Sequence, residues 1–214
     1  MAEARKHPSL ASGADGKRRC WWGQSSDEYV GYHDREWGRP VTDDDGLFER
    51  LCLEGFQSGL SWLTILRKRD AFRNAFAGFQ IDAVAGFAAP DVRRLMRDEG
   101  IVRNRRKIVA AIENAKAAAV LGADGTSLSA LVWSFRPPRR RAPRSAADLP
   151  ASTPESVALA RELKGRGFTF VGPTTAYALM QACGLVNDHV AGCAVRREVS
   201  EAQREVGARM LRPR

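Results

Sequence analysis

The sequence predicts an all-α protein, and three observations carry that expectation. Apolar residues recur at helical spacing through 43–54, 60–76 and 103–120. Start and stop signals bracket these and several shorter segments. No alternating apolar–polar run and no tandem repeat interrupts the pattern.

The first predicted helix is DDDGLFERLCLE at 43–54, with Leu47 and Leu51 on one face and Thr42 followed by Asp45 as its start signal. Gly55 and Gly59 mark a turn into LSWLTILRKRDAFRNAF, a second amphipathic helix. Short helices are expected at 81–87 and 90–99, the latter opened by Pro90 and closed by Gly100. RNRRKIVAAIENAKAAAV at 103–120 gives the strongest stripe, through Ile108, Ala111, Ile112 and Ala115. Proline and arginine at 136–150 break the pattern and predict an exposed loop. A helix to about Lys164 then starts either with Ser152 and Glu155 as a capping box or with Thr153 as cap and Pro154 in the first turn. GRGFTFVGP leads from it into a last helix, TTAYALMQACGL.

By this reading 1–19 is a disordered basic arm, 20–195 a helical domain with a helix-hairpin-helix near 155–184, and 196–214 a tail that is either a short helix or unstructured. The chain is long enough to bury a core without disulfides. It lacks an apolar run of about 18 residues, so no membrane partner is expected. The polar start carries no secretory signal, and a cytoplasmic location is the expectation. A net charge of +9 favours a polyanionic partner such as nucleic acid, although alanine- and arginine-rich chains also run basic without one.

Four cysteines in such a chain suggest thiols or metal ligands. Cys52 and Cys183 lie in apolar helical runs and read as core thiols. Cys20, His33, His189 and Cys193 form a possible Cys2His2 set, since His189 and Cys193 stand four residues apart and two cysteines with two histidines fill a tetrahedral zinc site. Spacing alone leaves open that both histidines are ordinary hydrogen-bonded residues.

In the 155–184 segment Gly167 and Gly172 bracket an apolar turn at a helix start, where backbone N–H groups suit a phosphate. The arrangement resembles a helix-hairpin-helix, which holds DNA backbone without reading bases. Phe170, Val171, Gly172 and Thr174 are its candidate DNA contacts. Tryptophans and tyrosines crowd the front of the chain, as a stacking pocket or as plain core. Glu54 continues the Leu47–Leu51 spacing. It is either a surface cap or a buried carboxylate, which is costly without a cation or donors.

Taken together, CWWGQSSDEYVGYHDREWGRP, ERLCLEGFQSGLSW, VWSF, STPES and GFTFVGPTTAYALMQACGLVNDHVAGC resemble the 3-methyladenine DNA glycosylase I family of the helix-hairpin-helix glycosylase superfamily. The resemblance runs from about Cys20 to Cys193. It implies an all-α fold of two lobes around a DNA-binding cleft, and structural zinc held by Cys20, His33, His189 and Cys193. It also implies a base pocket of Glu54, Tyr32, Trp22 and Trp62, with Glu54 and Tyr32 acting in catalysis. Leu60 and Gln57 fall where such enzymes fill the gap left by a flipped base. The expected partner is double-stranded DNA carrying alkylated adenine, bound by a monomer.

The sequence departs from the superfamily at one point. Where most members carry an aspartate in a V-D-x-H segment, VNDHV aligns Asn187, with Asp188 shifted by one. No lysine nucleophile stands at the usual place, so the expectation is a monofunctional hydrolase of the N-glycosidic bond. A non-enzymatic DNA binder and a zinc hydrolase are the alternatives. The first leaves Glu54 and its aromatic companions without a purpose, and the second conflicts with a full ligand set.

Overall fold

The computed structural model describes residues 9–210, with the side chains of 209 and 210 left out. They divide into two compact units, one built from 9–40, 137–151 and 181–210, the other from 41–136 and 152–180. Taken together the described residues are mostly helical, the second unit more so than the first, so the fold class agrees with the expectation.

The second unit holds α2 (Asp44–Gln57), α3 (Trp62–Ala75), α4 (Ile81–Ala85), α5 (Ala89–Arg97), α6 (Arg105–Ala123), α7 (Leu128–Ser134), α8 (Pro154–Gly165) and most of α9 (Pro173–Ala182). α6 buries the expected stripe of Ile108, Ala111, Ile112 and Ala115, and Asn104 caps it by accepting from Lys107 N at 3.2 Å. α2 starts one residue later than the Thr42–Asp45 signal implies. Asp43 is its cap, accepting from Gly46 N at 2.6 Å. The next two aspartates serve other helices: Asp44 accepts from Ser129 N in α7 at 2.7 Å, and Asp45 from Ile81 N at the start of α4 at 2.9 Å. Unpaired N–H groups at helix starts need such acceptors, so one acidic run organises three helix N-termini. For α8 the Thr153–Pro154 start is the one used, with Thr153 and Ser156 bonding reciprocally at 3.3 and 2.8 Å.

The first unit holds α1 (Asp27–Arg35), a 3-10 turn at Trp21–Gln24, the 137–151 segment and α10 (Arg196–Met210). Its start differs from the disordered arm expected over 1–19. Residues Leu10–Ser12 (β1) and Arg18–Cys20 (β2) pair as a short antiparallel hairpin, Leu10 opposite Cys20 and Ser12 opposite Arg18. Long-range contacts order it: Leu10 packs on the cluster of Cys20, Val190, Cys193 and Val195, and Ala194 N donates to Arg18 O at 2.8 Å. Residues 1–8 lie outside the described residues.

At the other end the helical alternative for 196–214 holds through Met210; 211–214 lie outside the described residues. α10 is fixed by Gln203, which is buried and donates to Gly38 O at 2.7 Å and Val186 O at 3.0 Å. Gly184 adopts φ +78, and a Cβ there would sit 2.6 Å from Pro40 N, so a glycine is required where α9 hands over to the 185–195 segment. Cys52 and Cys183 are buried thiols, as their apolar surroundings imply.

Candidate functional site

The four expected metal ligands meet inside the first unit. Cys20 ends β2, His33 lies on α1, and His189 and Cys193 come from the turn before α10. All are buried, and their ligand atoms lie within 4.8 Å of one another. His33 Nε2 is 3.2 Å from His189 Nδ1; Cys193 Sγ is 3.5 Å from the first and 3.6 Å from the second; Cys20 Sγ is 3.7 Å from His189 Nδ1. Zinc bonds of about 2.3 Å to sulfur and about 2.0–2.1 Å to nitrogen give tetrahedral edges of about 3.3 Å between nitrogens and about 3.6 Å between nitrogen and sulfur. These four edges are close to those of such a tetrahedron.

Each imidazole is oriented by its other nitrogen. His33 Nδ1 meets Asp34 Oδ1 at 2.8 Å, and His189 Nε2 meets Trp37 O at 3.1 Å. With those protons given away, His33 Nε2 and His189 Nδ1 are left as ligand lone pairs. Arg19, itself buried, grips Asp34 through Nε at 2.9 Å and Nη2 at 2.7 Å, and reaches Asp15 in the hairpin turn through Nη1 at 2.8 Å. Burial raises the Asp34 carboxyl, but Arg19 and His33 together hold it below its ordinary range. Between the thiols, Cys20 is pushed up by Cys193 and by burial. Cys193 is pulled down by Cys20 and the two histidines. Two buried thiols that do not ionise together without a cation are what a divalent metal resolves. A tetrahedral metal held by all four ligands would have no open position.

The cluster carries aromatic rings with it. Trp22, half-buried two residues after Cys20, has its ring 5.1 Å from His33, 4.9 Å from Trp37 and 6.4 Å from Tyr32. Tyr32 is buried and precedes His33 on α1. The ligands therefore fix the chain positions of both rings.

Glu54 and Trp62 belong to the second unit. Glu54 is 7% exposed on α2, below Leu47 and Leu51, so the cap reading of this residue is wrong. Burial raises its carboxyl to about 8, opposed by Arg50. Trp62 is buried at the start of α3, capped by Ser61, which accepts from Thr64 N at 3.2 Å. Between the two helices Gly59 takes φ +81, Gln57 is half-buried and Leu60 is 42% exposed. That turn rests on Lys107, a residue that no sequence signal singles out. Its buried Nζ donates to Phe56 O at 2.9 Å and to Ser58 O, satisfying carbonyls at the end of α2. Its burial also lowers the lysine pKa.

The α8–α9 connection is similarly built. Asn114 on α6 donates to Thr169 O at 3.1 Å and accepts from Thr169 N at 2.7 Å. This reciprocal pair holds Phe170 at φ +54, its ring 39% exposed and 6.0 Å from the Arg106 guanidinium. Thr174 is exposed and Gly172 half-buried. Val171 is 1% exposed, so only its backbone is left for a ligand.

Asn187 and Asp188 are both engaged. Asn187 Nδ2 donates to Ser200 Oγ at 2.8 Å and Arg196 O at 3.0 Å, while its Oδ1 accepts from His189 N at 3.2 Å. Asp188 is buried and accepts from Gln181 Nε2 at 2.8 Å and from Arg140. Both side chains shape the turn that presents His189.

Comparison with known proteins adds a second line of evidence. Residues 21–197 match the family described as methyladenine glycosylase. DNA-3-methyladenine glycosylase 1 of Escherichia coli (strain K12) is 48% identical over 177 residues, covering 82% of this chain and 95% of the relative. A crystal structure of 3-methyladenine DNA glycosylase I superposes with a TM-score of 0.80 at 48% identity, covering 82% of this chain and 98% of that one. Another, in complex with 3-methyladenine, gives 0.77 at 35% identity, covering 81% and 95%.

Proposed function

Because the chain belongs to the methyladenine glycosylase family, we propose that it is a monofunctional DNA glycosylase that releases 3-methyladenine from alkylated double-stranded DNA. The observation that carries this reading is Glu54, a buried carboxyl raised to about 8. Burial disfavours its charge until a cation arrives to compensate. Adenine methylated at N3 is such a cation, and the E. coli relative is named for that base.

In this reading Glu54 accepts from the amino edge of the extruded base and offsets its charge. Trp22 and Trp62 stack on the cationic ring, which a π-face attracts. Tyr32 orients it with a polar tip, and Leu60 with Gln57 fills the gap in the duplex. Thr174, Gly172, the Val171 backbone and the Phe170 ring contact the DNA strand. Cleavage leaves the bonding electron pair with the base, cancelling its charge; water then adds to the sugar carbon and gives up a proton. With Asn187 and Asp188 occupied in the His189 turn, departure rests on the charge of the base and on the site's electrostatics. An uncharged base has no such inclination to leave, which makes the activity selective.

Cys20, His33, His189 and Cys193 would hold zinc in a structural role. The metal would supply a cross-link between distant chain segments and neutralise two thiolates. The enzyme acts as a monomer in the cytoplasm, where its DNA substrate lies. Among the described residues no helix is long and apolar enough to cross a membrane.

The test is base release from methylated duplex DNA. Wild type is expected to release 3-methyladenine, and Glu54→Ala to lose most of that activity while remaining folded. A wild-type protein releasing no methylated base would overturn the function; full activity in Glu54→Ala would overturn the role of Glu54.

A further inference from the structure

The 137–151 segment supplies no metal ligand and no candidate base-pocket residue, although it braces the His189–Cys193 turn through Arg140 and Pro143. It carries Arg139, Arg140, Arg141 and Arg144 against Asp148 alone, a net +3 within a chain of net +9. A charge run in a loop is commonly a solvated face, which needs no fixed shape. This loop has one. Arg140 pairs with Asp188, a side chain with no exposure, and Pro143 O accepts from Ala191 N at 2.7 Å. Pro137, Pro138 and Pro143 stiffen the chain further. Burying a carboxylate to hold one arginine of a solvent loop is costly unless the loop's position matters.

The acids nearby are already used. Asp188 takes Arg140 and Gln181, while Asp148 accepts from Arg144 N at 2.6 Å, Ser145 N at 2.9 Å and Ser145 Oγ at 3.3 Å. Arg139, Arg141 and Arg144 are exposed; Arg144 lends its charge to Asp148 without a close ion pair, and Arg139 and Arg141 make no close ion pair among the described residues. An open hollow of about 540 Å³ lies among Arg140, Arg141, Arg144, Pro143, Asp148 and Ala191, more than one phosphate group needs.

We propose that the pinned 139–144 loop is a DNA-backbone clamp, in which Arg139, Arg141 and Arg144 bind successive phosphates of the duplex while Arg140 anchors the loop to Asp188. Guanidinium groups suit phosphate oxygens through paired N–H donors. Contacts of this kind hold the enzyme on undamaged DNA without reading sequence, so the clamp serves the search for a lesion. The proposal rests on the glycosylase reading for its choice of polyanion.

The experiment measures binding of the full chain to an undamaged duplex oligonucleotide across a salt series, for wild type, R139A/R141A/R144A and R139K/R141K/R144K. Each phosphate contact contributes about 0.9 to the slope of log K against log[salt], so the alanine variant is expected to lose about 2.7 from the slope. The lysine variant, with charge retained, is expected to keep most of it. A slope within about 0.5 of wild type in the alanine variant would overturn the clamp. Equal slope loss in the lysine variant would also overturn it, since disrupted folding rather than lost charge would then be the cause. Base release by the wild-type preparation is assayed in parallel. Its failure would sink the glycosylase reading, whatever the salt slopes show.

Discussion

His33 Nε2 and His189 Nδ1 face each other at 3.2 Å in a buried site, each ring with its opposite nitrogen already committed to an oxygen. Two imidazole lone pairs so aimed repel one another unless a proton or a cation lies between them. With two sulfurs completing the tetrahedron, a divalent metal satisfies all four groups together, whereas one proton satisfies only a pair.

Cys193→Ser is therefore expected to lower bound zinc well below the one ion per chain proposed for the wild type. A loss of about 3 kcal/mol would reduce the melting temperature by roughly 6–12 °C for a chain of this length. Metal analysis and thermal melting check both. Unaltered zinc stoichiometry would mean that the ligand set is misassigned. Chelation of the wild type is also expected to change tryptophan fluorescence, because Trp22 packs against His33.

Arg19→Ala should act on the same centre without removing a ligand. It releases Asp34 from its partner and unties the hairpin turn at Asp15. Outer partners of metal-bound histidines typically contribute 10–100-fold to metal affinity. The variant is expected to bind zinc fully when saturated but to surrender it to a chelator about tenfold or more faster. A release rate equal to wild type would assign Arg19 to the hairpin alone.

These cases show what was readable in the sequence. The α6 stripe was legible because a helical period repeats locally, and the structure buries those same residues. The metal set was not legible from spacing, because Cys20 and Cys193 meet only through the tertiary fold; the surrounding motifs supplied it. The 10–20 hairpin was invisible for a related reason. Three-residue strands carry no periodic signal, and their order comes from Leu10 and Arg19 reaching distant partners. Lys107 looked like one more cation at the start of α6, and only its reach across 51 residues to Phe56 O reveals a cap.

Lys107→Met tests that cap. The substitution keeps most of the side chain's bulk but leaves Phe56 O and Ser58 O without their donor. An unsatisfied buried acceptor costs about 1–3 kcal/mol, partly offset here because a desolvated charge is removed. Lower excision is expected as the Gln57–Leu60 turn loosens, together with a melting temperature reduced by a few degrees at most. Lys107→Arg, which retains donors, should recover part of the activity. Wild-type excision in Lys107→Met would separate the turn from function.

Glu54→Gln isolates the charge of the buried carboxyl. Between its ordinary value of 4.5 and about 8, the folded chain keeps a proton that the unfolded chain has released. Stability from this group therefore falls as pH rises through that window and levels off above it. Across the window the linkage amounts to a few kcal/mol. The glutamine variant has no proton to lose, so its melting temperature should gain on wild type between pH 5 and pH 8. Excision should move the other way. Wild-type activity rises as the carboxylate ionises to meet a cationic base, whereas Glu54→Gln stays low and nearly flat. Parallel melting and activity profiles for the two proteins would show that Glu54 titrates outside this range and does not serve as the counter-charge.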